Sequence, residues 1–107
     1  MSKHIYYDKN NDILAIHKGF TADEKFKGNI DAGSLILDVS TKGRIRGIEI
    51  MNATQFFKDL KIDETVLEEL VDARFEAKIN PNGIIIGITF LAKNKEIPAK
   101  IAVPLPV

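Results

Sequence analysis

The chain has 107 residues, the length of one small domain, and its 45% hydrophobic share is enough to bury a core. It has no cysteine, which excludes disulfide staples, cysteine-ligated zinc, iron–sulfur clusters and thiol catalysis. Fifteen Lys+Arg against fifteen Asp+Glu leave a net charge of zero, so general attraction to nucleic acid or anionic membrane has no support.

In chain order, His4 to Tyr7 is β-favouring and leads into the turn cluster Asp8-Lys9-Asn10-Asn11-Asp12. Asp12 to Lys18 returns as a second strand, with Leu14 and Ile16 on one face and Ile13, Ala15 and His17 on the other. A weak strand follows at Lys25 to Asp31, with Phe26, Gly28 and Ile30 sharing a face. A firmer one covers Leu35 to Val39, with Leu35, Leu37 and Val39 aligned. After the turn Ser40-Thr41-Lys42-Gly43, Arg44 to Met51 forms the next strand. Strict alternation there groups Ile45 with Gly47 and Glu49. A bulge at Gly47 resets the parity, so that Ile45, Ile48 and Ile50 all face inward and Glu49 faces outward.

Two short helices are predicted next. Asn52 with Gln55 three residues on suggests a capping box, and Phe56, Phe57 and Leu60 supply an apolar side. Asp63 starts the second helix, with Ile62 and Leu67 spaced as a hydrophobic staple. Val66, Leu67, Leu70 and Val71 make a helical stripe, and the acidic run Glu64 to Asp72 lies toward the polar side.

The last third reads as a three-stranded meander. Phe75, Ala77 and Ile79 alternate with Arg74, Glu76 and Lys78, and Asn80-Pro81-Asn82-Gly83 turns. Ile84, Ile86, Ile88 and Phe90 follow on one face; Asn94-Lys95 turns; Ile97, Ala99, Ile101 and Val103 close the set. The middle strand is apolar on both faces, which calls for a cover on its second side. Pro98 and Pro104 lack an amide donor and mark the last strand as an edge.

Residues 7–54 carry a family pattern. Tyr7-Asp8 and Asp12-Ile13-Leu14-Ala15-Ile16 match an opening Y-D…D-x-L-Y-I hairpin. Gly33 through Asp38, Gly43, and Gly47-Ile48-Glu49-Ile50-Met51-Asn52-Ala53-Thr54 match a later G-I-E-I-L-x-A-S block. This resembles the domain-of-unknown-function family 2283. The chain departs from the pattern at Ala15, where an aromatic is usual, at Ser40 for a second acid, and at Met51 and Thr54 for Leu and Ser. The resemblance implies a small β-rich domain with no established activity. Relatives that accompany small toxin-like proteins make an antitoxin-like, partner-binding role one of its implications.

Candidate polar residues are few. Asp38 and Glu49, cross-strand neighbours on one hairpin with Asn52 close by, form a polar site that acid–base work or a hard cation would require. The simpler account has Asp38 satisfying turn amides and Glu49 pairing with a cation on the solvated face. His4 and His17 face each other across the first hairpin, but two imidazoles need a third ligand to hold a metal, and none is signalled. Lys42, Arg44 and Arg46 make a basic ribbon that a partner or a DNA groove could meet. No nucleophile elbow, phosphate loop or dinucleotide fingerprint is present.

The expectation is one α+β domain over residues 1–107, mostly antiparallel sheet: a β-module over 7–54, a helical segment over 55–72 and a meander over 73–107. It is expected to be a cytoplasmic, non-enzymatic interaction module. A homodimer and a protein partner are expected, without metal, cofactor or membrane association, and with nucleic acid disfavoured. The basic ribbon and the acidic helix could complement each other across a twofold axis. An antitoxin-like regulator is the first alternative; a carboxylate-based metal binder or enzyme is the second.

Overall fold

Alternating apolar residues fold this chain into two antiparallel sheets. The computed structural model describes residues 4–93 and 95–104. Within them run β1 (Ile5–Asp8), β2 (Ile13–His17), β3 (Phe26–Ala32), β4 (Leu35–Ser40) and β5 (Ile45–Met51). Then come α1 (Ala53–Phe56), a 3-10 turn (Lys58–Leu60) and α2 (Glu64–Glu68). Strands β6 (Leu70–Asn80), β7 (Gly83–Ala92) and β8 (Lys95–Pro104) complete the set. The first five strands form a sheet in the order β1-β2-β5-β4-β3, and the last three form a second in the order β6-β7-β8. Strand occupies 60% of the structure, and α1 and α2 span four and five residues. The antiparallel sheet expected from the sequence is therefore present, but the fold is closer to all-β than to an even α+β mixture.

The period-two pattern explains the layering. Leu14, Ile16, Leu35, Leu37, Ile48 and Ile50 are buried on one face of the five-stranded sheet. Phe75, Ile84, Ile86, Ile88, Phe90 and Ile101 are buried on one face of the three-stranded sheet, and both sets belong to one core. Phe57, buried between α1 and the 3-10 turn, plugs this core. Its ring meets Phe90 edge-on at 5.3 Å and Phe56 at 5.2 Å. The second sheet crosses the strand ends of the first. Along β6, Asp72 meets His4 before β1, Glu76 meets Lys18 after β2, and Ala77 to Ile79 share a cleft with Gly43 to Arg46 at the start of β5.

The bulge read from Gly47 is present. Asp38 pairs with Gly47 and Val39 with Ile45, leaving Arg46 as the extra residue. Ile45, Ile48 and Ile50 are all buried as a result, and Glu49 lies on the outer face. The edge position of β8 is also found. The expected cover over the outer face of β7 is not found among the described residues. Ile85 stays 39% exposed there, and Gly87 beside it is open.

Several local expectations give way to tertiary context. Asn52 is left-handed (φ 53°, ψ 49°) and its side chain makes no capping bond, so no capping box forms. Leu60 is exposed, because the chain tightens into the 3-10 turn and ends left-handed at Lys61. Leu70 and Val71 fit a helical stripe on paper. Instead β6 begins at Leu70, pairing it with Ala92, and a register shift at Val71 leaves that side chain 58% exposed. In β4 the inward alternation stops after Leu37. Val39 is half-buried and Ser40 is buried, its Oγ accepting from the amides of Lys42 and Arg44 at 3.2 and 3.3 Å. Phe26 is exposed, separated from Gly28 by a register shift, while Ile30 packs on the core. The second helix starts as expected. The Asp63 carboxylate accepts from the Val66 amide at 3.0 Å, and Ile62 and Leu67 are both buried. The turn expected at Asn94 and the segment 105–107 lie outside the described residues.

Candidate functional site

Asp38 and Glu49 share the outer face of the five-stranded sheet. Asp38 lies opposite Gly47, and Glu49 lies opposite Ile36 and Ala15. This makes the two residues diagonal neighbours, their backbone positions roughly 7–8 Å apart by ordinary sheet geometry. Asp38 accepts from Asn29 Nδ2 at 2.6 Å. Gly47 is what lets the row close up: a Cβ built there would stand 2.6 Å from Asp38 Oδ2 and 3.0 Å from His17 Nδ1. The pair sits on an open sheet face. Asn52 is placed elsewhere, beyond β5, lining a cleft of about 380 Å³ with Asp12, Ser34, Gln55 and Phe56. The three residues of the expected polar site therefore do not converge.

His4 and His17 are brought together as their spacing suggests. The His17 amide donates to the His4 carbonyl at 2.8 Å, and both residues line a cleft of about 290 Å³ with Lys18 and Ala73 to Glu76. His4 Nδ1 lies 3.4 Å from Asp72 Oδ1. Among the described residues no group of three or more His, Asp or Glu is placed to hold a metal ion.

The basic ribbon turns inward to its own chain. Arg44 Nε donates to Glu24 Oε1 at 3.1 Å, and Arg44 Nη2 lies 2.9 Å from Glu24 Oε2. Arg46 Nε donates to the Gly19 carbonyl at 2.7 Å and lies 3.4 Å from Glu24 Oε2. Lys42 pairs with Asp23. Glu24 also accepts from the Thr21 amide and hydroxyl. Burial opposes its charge, but bonds from Ser40, Thr21 and Arg44 outweigh that and lower its pKa to about 2. The acidic run is likewise engaged: Lys9 lies 3.4 Å from Glu64 and 3.0 Å from Glu68. The complementarity expected between two copies is in these residues satisfied within one chain.

A third constellation went unread in the sequence. Asp12, left-handed at φ 54°, accepts from Tyr7 Oη at 2.7 Å, from Thr54 Oγ1 at 2.6 Å and from the Thr54 amide at 3.2 Å. Its carbonyl takes the Ala53 amide at 2.9 Å. Asp12 thus supplies the cap that Asn52 does not. Burial opposes its ionisation, yet the bonds from Thr54 and Tyr7 outweigh it and hold the carboxyl below the usual range. Burial and the Asp12 carboxylate push the Tyr7 phenol well above its ordinary value. The family pattern contains all three residues, Thr54 standing for the usual Ser, so the signal was present as a motif without a stated role.

A family model described as "Protein of unknown function (DUF2283)" matches residues 4–53. An uncharacterised protein of Methanocaldococcus jannaschii is 32% identical over 99 residues, covering 91% of this chain and 81% of that one. The chain belongs to the DUF2283 family. No solved structure matches it. The DUF2283 match covers the five-stranded sheet and reaches the start of α1, while the likeness to the archaeal protein extends over most of the chain. In this DUF2283 protein, Tyr7, Asp12 and Thr54 join the first hairpin to α1, a role in holding the fold together.

Proposed function

We propose that this protein is a non-enzymatic interaction module that self-associates. The observation that carries this reading is the open side of the three-stranded sheet. Among the described residues β6 has a strand partner only in β7, and about half of its eleven residues point their peptide groups to the other edge. The opposite edge, β8, is blunted by Pro98 and Pro104, which have no N–H to offer. Beside β6 the outer face of β7 presents Ile85, which is exposed, with Thr89 and Leu91 half-buried. Native proteins usually cover or disrupt so long an edge, and pairing with another chain covers it equally well.

The test is the molecular mass in solution. Light scattering and sedimentation equilibrium from low to high micromolar concentration are expected to give a dimer. A monomer across that range overturns the reading.

A further inference from the structure

We infer that the self-association surface is the free edge of β6, and that two copies pair antiparallel about a twofold axis at Phe75. This deepens the self-association reading and rests on it. The outward side chains of β6 alternate in charge: Asp72, Arg74, Glu76, Lys78. Antiparallel pairing centred on residue 75 sets Asp72 opposite Lys78 of the second copy and Arg74 opposite Glu76. All four cross-strand pairs are then of opposite sign.

The neighbouring registers fail the same test. Keeping the side chains on their faces requires a shift of two in the residue sum. Centring on residue 74 sets Arg74 against Arg74 and Asp72 against Glu76. Centring on residue 76 sets Glu76 against Glu76 and Arg74 against Lys78. Like charges directly opposite are unfavourable, so the sequence selects one register and rejects its two neighbours.

A second observation agrees. The two large apolar residues that β6 leaves exposed are Val71, at 58%, and Ile79, at 49%. The same register places each opposite the other in the second copy. Clefts of about 290 and 440 Å³ separate Ala73 to Glu76 from His4, His17 and Lys18, and Glu76 to Ile79 from Gly43 to Arg46. Lys18, whose Nζ lies 4.6 Å over the Phe75 ring, has to swing aside for the second strand to pair. Glu76, its side chain 95% exposed, keeps only the Lys18 contact at 3.5 Å. Arg74 and Lys78 have no ion-pair partner among the described residues. Asp72 is engaged locally as well, by His4 and by the Ala73 amide. Joined this way, two three-stranded sheets become one of six strands whose outer edges are the proline-bearing β8 strands.

A charge-swap series measured by sedimentation equilibrium tests the register. Arg74→Glu and Glu76→Arg each set like charges opposite at two symmetric places, and each is expected to weaken the dimer by about tenfold or more. The double variant carrying both changes restores opposite signs and is expected to recover the wild-type affinity. Thermal melts of each variant's monomer check that the fold is kept, since both positions are exposed. A wild-type dimer that ignores the single reversals, or single losses that the double swap does not repair, overturns the β6 register and leaves self-association standing. A wild-type chain that stays monomeric overturns both.

Discussion

The Asp12 carboxylate caps a helix that starts more than forty residues later, accepting the Thr54 hydroxyl at 2.6 Å and the Thr54 amide at 3.2 Å. The same carboxylate takes the Tyr7 phenol at 2.7 Å, so one side chain ties β1, the first turn and α1 together. Asp12→Ala removes acceptors from three donors and strains a left-handed position. It is expected to cost about 2 kcal/mol in urea unfolding. Asp12→Asn keeps one acceptor and suits the positive φ, so a loss of about 1 kcal/mol is expected.

Glu24 gives the chain an acid-sensitive component. Its carboxyl falls from an ordinary 4.5 to about 2 in the folded chain. A group whose folded pKa is depressed stabilises fully above its unfolded pKa. That stabilisation is lost as pH falls through the folded value. The urea midpoint is therefore expected to hold above about pH 4.5 and to drop progressively toward pH 2. Asp12, also depressed, adds to the same limb. In Glu24→Gln the midpoint at neutral pH is lower, because Arg44 and Arg46 lose their carboxylate, and the acid limb is shallower. A limb as steep as the wild type would assign the acid sensitivity to other groups.

Two glycines of β7 should respond oppositely to the same change. A Cβ at Gly83 would stand 2.5 Å from the Val103 carbonyl oxygen and 3.3 Å from Pro104 Cα, both backbone. Gly83→Ala must push β8 away and is expected to cost about 1–3 kcal/mol. At Gly87 nothing lies within 4 Å. Gly87→Ala is expected to be neutral or to stabilise by up to about 1 kcal/mol, since alanine restricts the unfolded chain more. Chemical denaturation of the two variants compares them directly.

Phe57 fills the end of the core against Phe90 and Phe56. Truncation to Ala leaves a ring-sized cavity and is expected to cost about 3–5 kcal/mol. Phe56→Ala, half-buried at the rim, is expected to cost clearly less. Equal losses would mean that the α1 segment packs differently.

Much of this fold was legible because sheet periodicity is local. The faces of β2, β7 and β8 follow from alternation alone, and the Gly47 bulge follows from the one place where alternation fails. Asp63 caps its own helix from within its own turn, and it too was readable. The polar site fared differently. Asp38 and Glu49 do reach one face, as a hairpin with a turn near Gly43 requires. Asn52 does not join them, because the chain turns left-handed there to enter α1.

The sequence by itself determined the strand pattern, the bulge, the proline-marked edge and the alternating charges of β6, each set within a few residues. Only the tertiary structure decided which charges satisfy one another. Glu24 is twenty residues from Arg44, and Asp12 is forty-two from Thr54, so no local pattern links them. It also decided that Leu70 and Val71 extend a strand rather than a helix. Their spacing fits either element, and pairing with β7 gives β6 backbone bonds that a five-residue helix could not match. Burial and hydrogen bonding between distant segments choose among options that local spacing leaves equal.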